Sequence, residues 1–173
     1  MERKLFLADA NTFITPYRSY YSFDFAPLFW DRMEKQIEYG NVLLLDKVYN
    51  ELTAVEDELS DWLKSIKSCS PIKHKDPTII DAYRDILMHI QTSGFYKQPK
   101  ALAEWAGNRV ADPWLIACAS VSKYTVVTFE KSIGNLNKQN PSSYPKIPDV
   151  CKVFGVAHTD LFNMMRTLSI SVS

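Results

Sequence analysis

Hydrophobic residues in this chain fall into short unbroken runs that alternate with longer stretches of helical period. L-F-L-A precedes Asp9, V-L-L-L precedes Asp46, and T-V-V-T-F precedes Glu130. Runs this short, apolar at every position, are what strands of a parallel sheet look like when helices cover both faces. They predict strands over residues 4–8, 42–45 and 125–127. Between them lie amphipathic stretches. A helix is expected from about Ala26 to Tyr39, stopped by Gly40. Another follows strand two, with Asp46 placed to cap it and Val48, Leu52, Val55 and Leu59 forming its apolar stripe. Further helices are expected from Asp76-Pro77, near Pro99, from Asp112-Pro113 and near Thr159. The aromatic segment T-P-Y-R-S-Y-Y-S-F-D-F between the first strand and the first helix matches neither period. Alternating strands and helices predict a three-layer α/β/α fold around a central parallel sheet, as a single domain over residues 1–173.

Composition narrows the class. With 46% hydrophobic residues and 22 Trp, Tyr and Phe in 173, the chain has ample material for a core and little of the character of a disordered one. The three cysteines, Cys69, Cys118 and Cys151, have no C-x-x-C spacing and form neither a zinc motif nor a disulfide framework. No apolar run approaches the roughly 20 residues that span a bilayer, and M-E-R-K is not the start of a signal peptide. A cytoplasmic protein with no membrane partner is expected. Net charge is zero, with 20 basic and 20 acidic residues, so bulk charge does not single out nucleic acid. The distribution is uneven: Lys64, Lys67, Lys73, Lys75 and His74 form an acid-free stretch that is either a solvated face or a track for a phosphate backbone.

Candidate chemistry lies at the ends of the apolar runs. Open parallel sheets bind ligands beyond the carboxyl ends of their strands, and Asp9 and Glu130 stand there. Asp9 could ligate a metal, with Asn11 supporting it through a carbonyl oxygen or an amide, or it could simply make an Asx-turn. D-A-N lacks the second carboxylate that a D-x-D phosphatase uses as general acid. Asp112 before Pro113 fits an ordinary helix cap, as does Asp76 before Pro77. The difference lies downstream: Trp114 to Ala119 is apolar all round, so Asp112 opens a buried helix, whereas the helix after Asp76 is amphipathic. Glu51 sits at the edge of the stripe after strand two, where it is either a site residue or a surface glutamate. Thr128, two residues before Glu130, could orient a carboxylate or a water. Carboxylates gathered at one sheet end repel one another unless a cation joins them, so the set Asp9, Glu51, Asp112 and Glu130 reads as a divalent-metal site. Motifs for nucleotide loops, serine hydrolases and zincins are absent.

Taken together, D-A-N at Asp9, V-Y-N-E-L at Glu51, A-D-P-W-L-I-A-C-A at Asp112 and V-V-T-F-E at Glu130 resemble a PIN domain, the metal-dependent nuclease fold of VapC-type toxins. The order and approximate spacing match from about Lys4 to the C-terminal helix. The aromatic segment and the late K-I-P-D-V-C-K-V-F-G-V resemble an uncharacterised PIN-like subgroup of prokaryotic proteins. The resemblance implies hydrolysis of RNA phosphodiesters with Mg2+ or Mn2+, leaving 5′-phosphate and 3′-hydroxyl ends. It implies an antitoxin protein encoded alongside and leaves room for a homodimer. In its terms Asp9 and Asp112 hold the principal ion, Glu51 lies near it, Glu130 faces a second position, and Asn11 and Thr128 position the others. The family's fourth acid is usually Asp in T-x-D, whereas T-F-E here supplies the longer arm of Glu130. Tyr17, Tyr20, Tyr21 and Phe23 are expected to stack on bases, meet a partner or fold onto the core. The rival expectation is a non-catalytic PIN-like module that binds RNA or a partner protein, its acids serving as caps.

Overall fold

The computed structural model describes residues 4–172; the opening Met1–Arg3, expected to carry no leader, and Ser173 lie outside them. Its centre is the pairing of the first strand, β1 (Phe6–Ala8), with β3 (Thr125–Val127). Every residue of both strands is buried, as the unbroken apolar runs require. β2 (Val42–Leu43) pairs with the other edge of β1, and β4 (His158–Thr159) with the other edge of β3. All three pairings are parallel, giving the order β2-β1-β3-β4. The order reverses between β1 and β3. Such a switch point, where connections leave in opposite directions, opens a crevice at the carboxyl ends of the strands. Asp9 follows β1 and Thr128 follows β3, with Ala8 and Val127 in register just before them.

Helices cover the sheet: α1 (Asn11–Ser19), α2 (Pro27–Glu38), α3 (Asp46–Thr53), α4 (Glu58–Ser65), α5 (Pro77–Thr92), α6 (Lys100–Trp105), α7 (Asp112–Ser122), α8 (Ile147–Phe154) and α9 (Leu161–Leu168). The architecture is a three-layer α/β/α fold with a four-stranded parallel sheet, as expected. α7 is the most deeply set helix. Leu115 to Ala119 are all buried, and α5 and α8 both pack against it. Among the described residues, no helix is long and apolar enough to cross a membrane.

Four elements differ from the sequence expectation. The aromatic segment begins as helix, because α1 carries Pro16 in its interior. Proline there removes a hydrogen bond, but Thr12, Phe13 and Pro16 are buried, and the Pro16 carbonyl accepts from both Tyr20 and Tyr21 to end the helix. The helix expected from Asp46 through Leu59 is two. α3 ends at Thr53, Val55 is exposed rather than part of the stripe, and Asp57 opens α4 by accepting the Ser60 amide at 2.9 Å. Asp46 is not a cap. Leu45 holds that position, and the Asp46 carboxylate takes the His74 backbone amide and ring instead. Finally, α8 and the two-residue β4 were not anticipated.

The aromatic segment folds onto the core. Phe23 stacks on Trp30 with ring centres 4.4 Å apart at 23°, and Trp62 closes on Trp30 at 4.9 Å. Tyr17 packs edge-on to Phe23 and Trp30, and the Trp30 indole donates to the Tyr21 carbonyl at 2.6 Å. Phe25, in contrast, is 78% exposed. Phe23→Ala is therefore expected to cost about 1–3 kcal/mol, from lost burial plus the aromatic pairing. Phe25→Ala should stay within about 0.5 kcal/mol. Urea unfolding of the two variants checks this; equal losses would mean the segment is not anchored through Phe23.

Candidate metal centre

Asp9 is placed by the end of β1. Its amide donates to the Val127 carbonyl at 3.0 Å, continuing the β1–β3 ladder by one residue, and only 6% of the residue is exposed. Thr128, itself buried, donates its hydroxyl to Asp9 Oδ2 at 3.3 Å and accepts the Glu130 amide at 3.1 Å. Thr128 thus fixes both acids at the sheet end. Burial pushes the Asp9 pKa up to about 6, opposed by the Ala10 amide and reinforced by the charges of Glu130 and Glu51.

Asp112 arrives from the start of α7. Its side chain makes no capping bond; Ala111 occupies the N-cap position. Asp76 is the contrast within the same molecule, since its carboxylate accepts the Thr78 amide at 2.9 Å and does cap α5. The half-buried Asp112 feels the charges of the other acids. Burial raises its pKa to about 7, and Asp9, Glu130 and Glu51 add to the rise while Lys146 opposes it. Glu51, on the second turn of α3, is exposed as a whole residue. Its carboxyl nonetheless has a pKa raised by burial, and its charge reaches both aspartates. Residues from β1, α3, α7 and the β3 end therefore share one electrostatic neighbourhood.

Two expected site residues are placed differently. Glu130 does not present a free carboxylate. Oε1 accepts Lys146 Nζ at 2.9 Å and Oε2 accepts the Ile147 amide at 2.8 Å, so Glu130 closes the N-terminus of α8 through an ion pair. The Glu130 bond holds the Lys146 pKa up. Asn11 is exposed in the first turn of α1, and its side chain makes no hydrogen bond to Asp9 among the described residues. The neighbouring Thr12 is the tethering residue, buried and donating to the Val127 carbonyl at 3.2 Å. Lys146 carried no signal in the sequence, because its acid partner is 16 residues away across a loop. The helix it precedes did carry one, as Ile147, Val150, Cys151 and Phe154 follow helical spacing with Pro148 inside the first turn and left-handed Gly155 after the last.

Beside these residues a cleft of about 890 Å³ opens from Thr128 and Glu130 past Phe129, Lys152, His158 and Asn163. Among the described residues, no three His, Cys, Asp or Glu side chains close into a metal cage. Magnesium fits the donor set that is present, because it takes one or two carboxylates, keeps several waters and draws other oxygens from a phosphate. Asp9 and Asp112 are hard oxygen donors, with elevated pKa values that a cation would reverse; of the four acids, Glu130 is the one that lines the cleft.

Both aspartates titrate higher in the folded chain than at their ordinary 3.8. Between that value and about 6 or 7 the folded form binds more protons than the unfolded one. The stability contributed by protonation is complete below pH 3.8 and disappears as pH rises through the folded pKa values. Without metal, stability should thus fall from pH 4 to pH 7. Asp9→Asn should raise the metal-free melting temperature at pH 7, by on the order of 1–3 kcal/mol of stability, and reduce the gain from magnesium. Thermal melts in chelator and in magnesium check both signs. A variant that melts lower in chelator and gains as much as wild type would remove Asp9 from the site.

No curated protein and no solved structure matches the chain. A family model does, over residues 6–172, which include all four acids and the whole sheet. The chain belongs to the family described as a domain of unknown function (DUF4411).

Proposed function

We propose that the protein is a Mg2+- or Mn2+-dependent endoribonuclease whose principal ion is held by Asp9 and Asp112. The observation that carries the reading is the placement of these two carboxylates together at the β1/β3 switch point without a cap, a direct ion pair or an apolar replacement. Burial first, and the charges of neighbouring acids second, make their ionised forms a burden on the fold, which is the arrangement expected where a cation is to be bound. When bound, such an ion activates water for in-line attack and neutralises charge on phosphate and leaving oxygen. Thr128 holds Asp9 in place, Glu51 adds negative charge from α3, and Glu130 positions Lys146 rather than serving as a direct ligand. Lys146 brings a cation to the edge of the centre, where a phosphodiester would meet it. A single principal ion suits this donor set better than two, because the carboxylate expected at the second position is already bonded.

Glu130's commitment to Lys146 and Ile147 favours a second reading, a non-catalytic module that binds RNA or a partner protein. Magnesium titration of the melting temperature separates the two, since a module whose acids only serve the fold gains nothing from the ion. The role of a toxin held by an antitoxin rests on the resemblance of the four acidic motifs to VapC-type proteins. Growth arrest on expression in a bacterial host, relieved by Asp112→Asn, is its test.

Asp112→Asn should lower cleavage of a structured RNA panel in saturating magnesium by two orders of magnitude or more, roughly the scale of removing one key electrostatic group. It should melt no lower than wild type, because Asp112 makes no capping bond. Asp76→Asn is the control; asparagine still caps, and activity should be unchanged. Full activity of Asp112→Asn would refute the nuclease reading. The exposed Lys64, Lys67, Lys73 and Lys75, changed together to Gln, should weaken RNA binding about equally for all sequences and flatten its salt dependence. Binding measured across a salt series decides; an unchanged slope returns these lysines to a solvated face.

A further inference from the structure

A second cavity, of about 370 Å³ and opposite in charge to the acidic centre, is lined chiefly by Lys47, His74, Lys75, Tyr83, Arg84 and Trp114. That volume lies within the range of roughly 300–1,000 Å³ typical of small-ligand clefts. Its position follows from helix geometry. Lys47 precedes Glu51 by four residues on α3, so the two side chains share a helix face. Trp114 follows Asp112 by two residues, about 3 Å further along the α7 axis and about 200° around it, so it leaves the helix on a different face. The cavity is thus built on the same two helices that carry Glu51 and Asp112, without sharing a lining residue with the acidic centre.

Its wall is aromatic and its rim cationic. Trp114 and Tyr83, both half-buried, stack face to face between α7 and α5 with ring centres 3.7 Å apart at 11°, so each ring keeps its outer face for a ligand. Lys47 Nζ lies 5.6 Å from the Trp114 ring centre and donates to the Asn108 carbonyl at 2.8 Å. His74 meets the Trp114 ring edge-on at 4.8 Å. Its Nδ1 is held by Asp46 at 2.8 Å, so Nε2 is the ring nitrogen left for a ligand. Lys47, Lys75 and Arg84 line the cavity, and no carboxylate does. Of the nearby acids, Asp46 is engaged with His74, Asp76 with Thr78, and Asp81 with Arg84 in a 3.3 Å pair so exposed that it holds Arg84 weakly, while Glu51 stands one turn along α3 from Lys47.

A simple anion would use the cations and leave the aromatic platform idle, while a neutral aromatic would do the reverse. A nucleotide uses both. Its base must also be free of neighbours to reach a ring wall, which selects a single strand over a duplex. We propose that this cavity holds one unstacked nucleotide of a single-stranded RNA, its base against the Trp114–Tyr83 ring pair and its phosphate on Lys47, Lys75 and Arg84. The proposal rests on the nuclease reading for the identity of the strand, but it can be tested without cleavage.

The experiment is fluorescence anisotropy of a labelled single-stranded oligoribonucleotide with the full chain in chelator. Trp114→Leu should weaken binding about fivefold or more, the lower end of a lost base–aromatic stack, while Trp114→Phe stays within about twofold. Lys47→Gln with Lys75→Gln should weaken binding and lower the salt slope by about one or two. Should Trp114→Leu not fold, the Trp114→Phe and double-lysine results decide. 5′-AMP should displace the strand at concentrations where inorganic phosphate does not. Wild-type affinity in both Trp114→Leu and the double-lysine variant, or displacement by phosphate as effective as by AMP, would overturn the proposal. Binding through Trp114 without cleavage in any metal would leave the cavity assignment standing and sink the nuclease reading; cleavage with binding indifferent to these residues would do the opposite.

Discussion

Everything at the candidate centre depends on the parallel pairing of β1 with β3. Three residues on each strand, Phe6–Ala8 and Thr125–Val127, lie in register and are buried on both faces. Buried backbone must satisfy its hydrogen bonds, so the two strands have little freedom to slip. A one-residue slip would also turn each side chain to the opposite face. The register carries beyond the strands: the Asp9 amide still bonds Val127, and Thr12 ties its hydroxyl to the same carbonyl. Asp9 and Thr128 are thus set side by side by the core and not by loops. α7, packed against β3 and apolar throughout its middle, brings Asp112 to the same place.

The consequence is a local conflict between stability and charge. Folding places Asp9 and Asp112 where water is scarce and other acids are near, and their pKa values climb to about 6 and about 7. Elsewhere the molecule resolves its acids. Asp46 takes His74, Asp57 and Asp76 cap helices, Asp149 accepts the Ile133 amide, and Glu130 takes Lys146. Among the described residues, hydrogen bonds from Ala10 and Thr128 ease Asp9, and the charge of Lys146 eases Asp112 without a bond to it. Unrelieved carboxylates of this kind are a mark of sites shaped for something other than stability. The second cavity has the complementary character, cations and stacked rings without acids, which suits the remainder of a phosphate-bearing chain.

Much of this was legible in the sequence because the signals are local. F-L-A and T-V-V can hardly be anything but buried strands, and D-P followed by W-L-I-A-C-A marks the start of a central helix. Hence the convergence of Asp9 and Asp112 could be expected. What was not legible depends on contacts between distant residues. Asp46 looked like a cap because its partner His74 lies 28 positions away. Glu130 looked like a ligand because Lys146 and Ile147 approach it only after a loop folds back. The stripe through Val55 concealed a break that Asp57 makes by capping a new helix. β4, a polar pair, exists only because β3 offers it an edge, and α1 survives Pro16 because the proline is buried on the same face as Thr12 and Phe13.

The central claim is that Asp9 and Asp112 form one coupled cation site. The most direct measurement is a carbon-13 NMR titration of their side-chain carboxyls, in chelator and then in saturating magnesium. The two should titrate as a coupled pair, with apparent values near 6 and 7 in chelator. In magnesium both should fall to or below the ordinary aspartate value near 4. Carboxyls that titrate near 4 without metal, or that stay near 6 and 7 when magnesium is added, would contradict the account.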